Sequence, residues 1–246
     1  MYQKKRFTAV VLAGGSGKRM ETDLAKQYMK LNGYPMLYYA LLAFEKSRVD
    51  SIVLVTGKDE MDTCQKEIVE KYGFQKISKI VAGGKERYHS SALGLAACQP
   101  CDYVLIHDGA RPCLSQKVIQ DCMDAVLLYG ACTAGVQVVD TICRVEESQK
   151  ILEIPNRSSF WSMQTPQCFV YDEICFAHQI LAKKESLAFA SKRITDDVRV
   201  IQECLEREVY MVVGSYDNIK VTTASDIEIA ERLLKQEDSN YEMDEI

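Results

Sequence analysis

The chain has 246 residues, 47% of them apolar, and a formal charge of −5 at neutral pH. This length and composition bury a full core in one large α/β domain or two small ones, and the acidic balance argues against a dedicated nucleic-acid binder. No run approaches the roughly 18 consecutive apolar residues of a membrane span, so no membrane association is expected. The start, MYQKKRFTAVVLAGG, is basic but runs straight into glycines. It lacks the separate apolar region and cleavage site of a secretory signal, so a cytoplasmic location is expected.

The segment Phe7 to Ala13 is β-branched and uncharged and reads as a strand buried on both faces. It breaks into GGSGKRM, which fits neither common nucleotide loop. A phosphate-binding Walker loop would need glycine at Leu12 and Ser or Thr at Arg19, and a dinucleotide fingerprint from Gly15 would need Gly or Ala at Met20. A hydride-transferring dehydrogenase is disfavoured on that count. What remains is a glycine turn whose N–H groups suit an anion, beside Lys18 and Arg19, with Lys26 following in AKQY.

Ser51 to Thr56 is a second buried strand, and Met61, Cys64, Ile68 and Tyr72 recur at helical spacing over 59–72. Lys79 to Ala82 is a short strand before Gly83-Gly84, with a helix over about 86–97. Asp102 to His107 is another strand, followed by a helix marked by Val118, Cys122, Val126 and Tyr129. Ala131 to Val139 is a fifth strand. This alternation predicts a mostly parallel sheet wrapped by helices. Over about 139–161 the pattern changes to two short β-like pieces, 141–145 and 151–154, around a polar turn. A lone hairpin is marginal in water, so this arm predicts a partner surface, with a second subunit as the candidate. A strand near 167–170, helices near 172–183 and 196–206, a strand over 209–213 and a last helix opening at Ser225 with Glu228 in capping-box position complete the reading. Past Gln236 the chain is acidic and expected to fray. There is no repeat or linker, so 1–246 reads as one domain with a β-arm.

The ten cysteines are scattered through apolar segments and read as small buried hydrophobes. Cys98 and Cys101 have metal or redox spacing, but no second pair accompanies them, and they follow a helix rather than open one.

In a parallel sheet, ligands gather at the carboxyl ends of the strands. There this chain places Arg19, Lys26, GGKERYHSS, Asp108 and Arg111 of HDGARP, and Lys220 of DNIKVTT. Such cations suit a polyphosphate, and Asp108 suits a divalent metal that also binds phosphate oxygens. The chain has three histidines and no Gly-x-Ser-x-Gly elbow. His107 adjoins Asp108, but neighbours on a strand face opposite ways, so His107 is expected to be structural. A reaction needing no protein base is favoured. Phosphoryl-group chemistry qualifies, since a phosphate nucleophile with a second pKa of about 6 is already largely anionic.

The blocks LAGGSGKRM, AKQY, GGKERYHSS, HDGARP, PNRSSFW, QTPQCF, ITDD and DNIKVTT, in this order from about residue 7 to 235, resemble the 2-C-methyl-D-erythritol 4-phosphate cytidylyltransferases. The resemblance implies a Rossmann-like nucleotidyltransferase fold and a homodimer interlocked through the β-arm. It also implies Mg²⁺-dependent transfer of CMP from CTP to a polyol phosphate, with release of pyrophosphate. By matching motif, Arg19 and Lys26 look like the catalytic residues that stabilise the charged α-phosphate in the transition state, and Lys220 looks like a further phosphate-site cation. Ala13, Gly14, Gly15, Gly84, Lys85 and Ser90 resemble the cytidine-recognition segment. Asp108 and Arg111 match the block serving metal, ribose and substrate. Thr141, Arg157 and Thr165 match positions that grip the methylerythritol phosphate, with Thr141 and Arg157 reaching from the partner's arm. Gly14 stands where the family often has alanine, and Lys85 where an acidic residue is common. Cytidylyltransferases acting on ribitol 5-phosphate share most of these motifs, but the small Ala110 before Arg111 favours methylerythritol. A non-catalytic nucleotide-binding protein of the same fold would not need Arg19, Lys26, Asp108, Arg157 and Lys220 together.

Overall fold

The computed structural model describes residues 5–15, 26–185 and 194–243, with the backbone alone for 26, 184–185 and 237–243. In chain order it contains β1 (Phe7–Leu12), β2 (Lys30–Leu31), β3 (Tyr34–Pro35), α1 (Met36–Lys46), β4 (Ser51–Thr56), α2 (Met61–Cys64), β5 (Ile77–Ala82), α3 (Arg87–Ala96) and β6 (Tyr103–Asp108). The second half contains α4 (Gln116–Tyr129), β7 (Ala131–Gln137), β8 (Arg144–Val145), β9 (Ile151–Glu153), β10 (Trp161–Val170), α5 (Tyr171–Glu185), α6 (Asp197–Leu205), β11 (Tyr210–Val213) and α7 (Ala224–Met243).

Seven strands form one sheet in the order β11-β7-β10-β6-β1-β4-β5. The centre obeys the alternation of a strand buried on both faces. Ala9 and Val11 of β1, with Ile52 and Leu54 of β4, pack under α1 and α4. Val10, Val53 and Val55 pack on the other face against Tyr88 and Leu95 of α3 and the apolar sides of α5 and α6. A third cluster joins α7 to the small β2–β3 hairpin through Leu31, Met36, Val221, Ala230 and Leu234.

Four neighbour pairs are parallel, but β10 runs antiparallel to both β6 and β7. The reason is the arm. The chain leaves the sheet along β7, makes the β8–β9 ribbon, and returns along β10 beside the strand it left, as any hairpin must. The return strand is also longer than the four residues expected from sequence, spanning Trp161–Val170.

Two elements depart from the sequence pattern. Helix α1, MLYYALLAFEK, was not anticipated. It is apolar almost all round, burying Met36, Leu37, Ala40, Leu41 and Phe44, so it lacks the polar face that a periodicity search detects. The helix expected over 59–72 is a composite: a 3-10 turn at Lys58–Glu60, α2, then wide π turns at Gln65–Glu70. At α7 the start lies at Ala224, and Asp226 accepts from the backbone N–H groups of Thr222 and Thr223 at 2.7 and 2.8 Å. Asp226, not Glu228, therefore caps this helix. The helix continues to Met243, past the expected fraying point.

Gly94 lies where α3 packs tightly on the sheet. A Cβ there would lie 2.5 Å from Val10 Cγ1 and 2.8 Å from Val55 Cγ2. Gly94→Ala is expected to lower stability by about 1–3 kcal/mol through overpacking. A urea titration checks this, as a lower midpoint at unchanged m-value. Among the described residues no helix is long and apolar enough to cross a membrane.

Candidate functional site

A cleft of about 480 Å³ opens where β1, β5 and β6 end at their carboxyl edges. This is the switch point of the sheet, since β4 and β5 follow β1 on one side and β6 lies on the other. Its walls include Ala13, Gly14, Gly15, Gln27, Gly84, Lys85, Arg87, Ser90, Asp108 and Lys220.

The glycine turn after β1 is seated by Ala13 N–H, which donates to Val55 O at 2.6 Å. Across the cleft, Gly84 N–H donates to Ser90 Oγ at 3.1 Å, tying the loop after β5 to α3. A Cβ on Gly84 would stand 2.4 Å from His89 Cβ, so only glycine allows this approach. Gln27 is held from outside, its Nε2 donating to Glu60 Oε2 at 2.9 Å.

The floor is Asp108, the last residue of β6. Its Oδ1 accepts from Arg87 Nε at 3.0 Å and its Oδ2 from Lys220 Nζ at 2.7 Å. Burial pushes the Asp108 carboxyl up, but Arg87, Lys220 and Arg111 together outweigh it and hold the group far below the usual carboxylate range. Asp108 is therefore an anion fixed between cations. Lys220 arrives from the loop after β11, and that loop is anchored by Val221 N–H, which donates to Ala110 O at 2.9 Å.

His107 faces away from the cleft, as alternation along β6 requires. It is fully buried, packs edge-on against Phe44 at 5.4 Å, and bonds Thr165 Oγ1 through Nδ1 at 2.9 Å and Arg111 O through Nε2 at 3.2 Å. Burial pushes its pKa down to about 4. In the unfolded chain it titrates near 6.5, so between these values the unfolded state binds more protons. The contribution of a neutral His107 is thus present above pH 6.5 and lost as pH falls toward 4, by roughly 3 kcal/mol. Urea stability measured across that range is expected to fall more steeply for the wild type than for His107→Asn.

The sequence-expected residues fall into four groups. Ala13, Gly14, Gly15, Gly84, Lys85, Ser90, Asp108 and Lys220 all line the cleft. Arg111 and Thr165 stand behind Asp108 and off the cleft wall. Arg111 Nη1 donates to Asn218 O at 2.6 Å, and Thr165, 3% exposed, accepts from the Asp108 N–H at 3.2 Å. Thr141 and Arg157 belong to the arm and do not line the cleft of their own chain; Arg157 Nη1 donates to Val139 O. Arg19 and the side chain of Lys26 lie outside the described residues. Arg87 was not singled out from sequence. It sits two residues past Lys85 in a run of charges, and nothing local tells a cleft cation from a solvated one.

The arm exposes Val139, Val145, Ile151, Leu152, Ile154, Phe160 and Trp161. Arg144 Nε and Glu153 Oε2 pair across the ribbon at 3.3 Å. Cys98 and Cys101 follow α3 and precede β6, both half-buried free thiols.

A family model described as 2-C-methyl-D-erythritol 4-phosphate cytidylyltransferase matches residues 7–236. A protein of that name from Lachnospira eligens is 43% identical over 229 residues, covering 93% of this chain and 99% of the relative. One from Clostridium kluyveri is 43% identical over 228 residues, covering 92% and 96%. The crystal structure of 4-diphosphocytidyl-2C-methyl-D-erythritol synthase from Anaerococcus prevotii superposes with a TM-score of 0.79. Its identity is 31%, over 94% of this chain and 96% of that one.

Proposed function

The chain belongs to the 2-C-methyl-D-erythritol 4-phosphate cytidylyltransferase family, and from that premise we propose how its cleft carries the family's reaction. The enzyme is a nucleotidyltransferase that moves CMP from CTP to 2-C-methyl-D-erythritol 4-phosphate and releases pyrophosphate. An oxygen of the substrate's phosphate attacks the α-phosphorus of CTP. A new P–O bond forms as the bond to the bridging α–β oxygen breaks, and the electron pair leaves with pyrophosphate. The attacking phosphate is already largely anionic at neutral pH, its second pKa being about 6, so no protein base is required. The protein aligns the reactants and neutralises developing charge.

The single observation that carries this reading is the fixed Asp108 anion between Arg87 and Lys220 at the switch point, walled by glycine turns. Ala13, Gly14, Gly15, Gly84, Lys85 and Ser90 form the cytidine side, where backbone groups read a flat base. Lys220, 43% exposed at its side chain, reaches the phosphates. Arg19 and Lys26 join it by family motif. Arg111 and Thr165 hold Asp108 and its neighbouring loop for the ribose and substrate region.

Asp108 fits Mg²⁺. It is ionised, lines the cleft, and each of its oxygens makes one cation contact among the described residues and keeps a further lone pair. With one or two carboxylates such an ion takes its remaining ligands from phosphate and water. Asp108 would hold it there, and the bound ion would supply charge neutralisation among the phosphates.

The arm's exposed apolar residues support a homodimer in which each arm is covered by the other subunit and brings Thr141 and Arg157 to the partner's site. The whole acts as one catalytic domain. Ten free cysteines support a reducing setting, the cytoplasm. Purified protein given CTP, Mg²⁺ and each polyol phosphate in turn, with pyrophosphate as readout, tests the reading. Methylerythritol phosphate is expected to turn over far faster than ribitol 5-phosphate, and the reverse order would assign the chain to the other substrate.

A further inference from the structure

Behind Asp108 the ion pairs continue into the core. Arg87 Nη1 donates to Asp197 Oδ2 at 2.6 Å, while Arg87 Nε holds Asp108 Oδ1. Asp197 opens α6, is fully buried and does not line the cleft. Every element around it contributes a partner. Ser91 Oγ of α3 donates to Oδ2 at 3.2 Å, His178 Nε2 of α5 meets Oδ1 at 3.1 Å, and Gln167 Oε1 of β10 accepts from the Asp197 N–H at 2.9 Å. Burial pushes the Asp197 carboxyl up, but Arg87 and His178 outweigh it and keep it below its ordinary value.

Such an assembly is not needed for stability alone, since apolar replacements of buried ion pairs are often neutral or better. Its geometry does something more specific. A guanidinium beside a lone carboxylate prefers two parallel hydrogen bonds, one to each oxygen. Here Asp197 anchors Nη1 and so fixes the orientation of the guanidinium, with Nε alone meeting Asp108, at Oδ1. Oδ2 is left for Lys220, on the cleft side. Arg87 Nη2, buried and without a hydrogen-bond partner among the described residues, is the atom that would join Nε in a two-oxygen grip on Asp108.

We propose that Asp197 is a positioning residue for cytidylyl transfer: by holding Arg87 it keeps Asp108 from being captured by both arms of the guanidinium. The inference rests on the reading of the cleft given above. Loss of Asp197 frees Nη1 and lets the guanidinium turn, so that Nε and Nη2 close on both Asp108 oxygens, which displaces Lys220 and withdraws the carboxylate from the phosphates.

Steady-state kinetics of Asp197→Asn, Arg87→Lys and the double variant test this, at a temperature where circular dichroism shows each folded. Asp197→Asn is expected to lower kcat about tenfold to a hundredfold, as loss of a supporting partner typically does. The KM for CTP should stay within roughly threefold, because the cytidine walls are untouched. The double variant should be no slower than the slower single one, since both changes act through the same guanidinium. A folded Asp197→Asn enzyme with wild-type kcat, or fully additive losses in the double variant, overturns the proposal. Should Asp197→Asn not fold, Arg87→Lys alone decides. Lysine keeps the charge but cannot span two carboxylates, so a kcat within twofold of wild type overturns it equally. A wild-type protein that releases no pyrophosphate would remove the cytidylyl-transfer reading, and this inference with it.

Discussion

Asp108→Asn is expected to lower turnover about a hundred- to a thousandfold, the scale of losing one charged group that acts on the transition state. The amide has nearly the carboxylate's shape, so the cleft keeps its walls. What it loses is the negative charge to which Arg87 and Lys220 are fixed at 3.0 and 2.7 Å. Lys220 then loses its Asp108 anchor, and the carboxylate proposed to hold Mg²⁺ is gone. Some stability goes too, because cations that were paired beneath the cleft are left unbalanced. The comparison therefore belongs at a temperature where the variant's circular dichroism spectrum matches the wild type. A folded variant that retains turnover within tenfold would reduce Asp108 to a structural anion.

Subunit mixing is the second large effect. Arg157→Ala and Asp108→Asn proteins, each nearly inactive, should regain activity when subunits exchange. In a mixed dimer with Arg157 acting across the interface, one site receives both lesions and the other neither, so up to about half of the heterodimer's sites recover. The physical ground is the arm. Its ribbon pairs only Arg144–Val145 with Ile151–Glu153 and leaves its apolar residues in water. A two-stranded hairpin of this kind is not stable without cover. Arg157 lies just past it and lines no part of its own cleft, while its guanidinium has the fork that grips a phosphate with two hydrogen bonds. Demonstrated heterodimers without recovered activity would place Arg157 in the service of its own subunit.

Much of the architecture follows from local chemistry. The runs FTAVVL, SIVLVT and YVLIHD are largely apolar on both sides, and each became a central strand at close to its expected bounds. The glycine turns and cations that follow them converged because parallel strands put all their carboxyl ends on one edge. Seven of the residues named for nucleotide contact, and Lys220, line one cleft for that reason alone. Alternation also separated His107 from Asp108 correctly: one meets Phe44, the other Arg87.

Other features had no local signature. Nothing in the composition of strand β10 marks its direction, which comes from the arm that precedes it. Helix α1 was hidden because a helix buried almost all round has no polar stripe to reveal its period. The pairing of Arg87 with Asp108 and Asp197 joins residues 21 and 110 positions apart. Periodicity and motif spacing report what a residue's neighbours in the chain require of it. Which distant charge it meets depends on how helices α3 and α6 pack on the sheet, and only the folded molecule decides that.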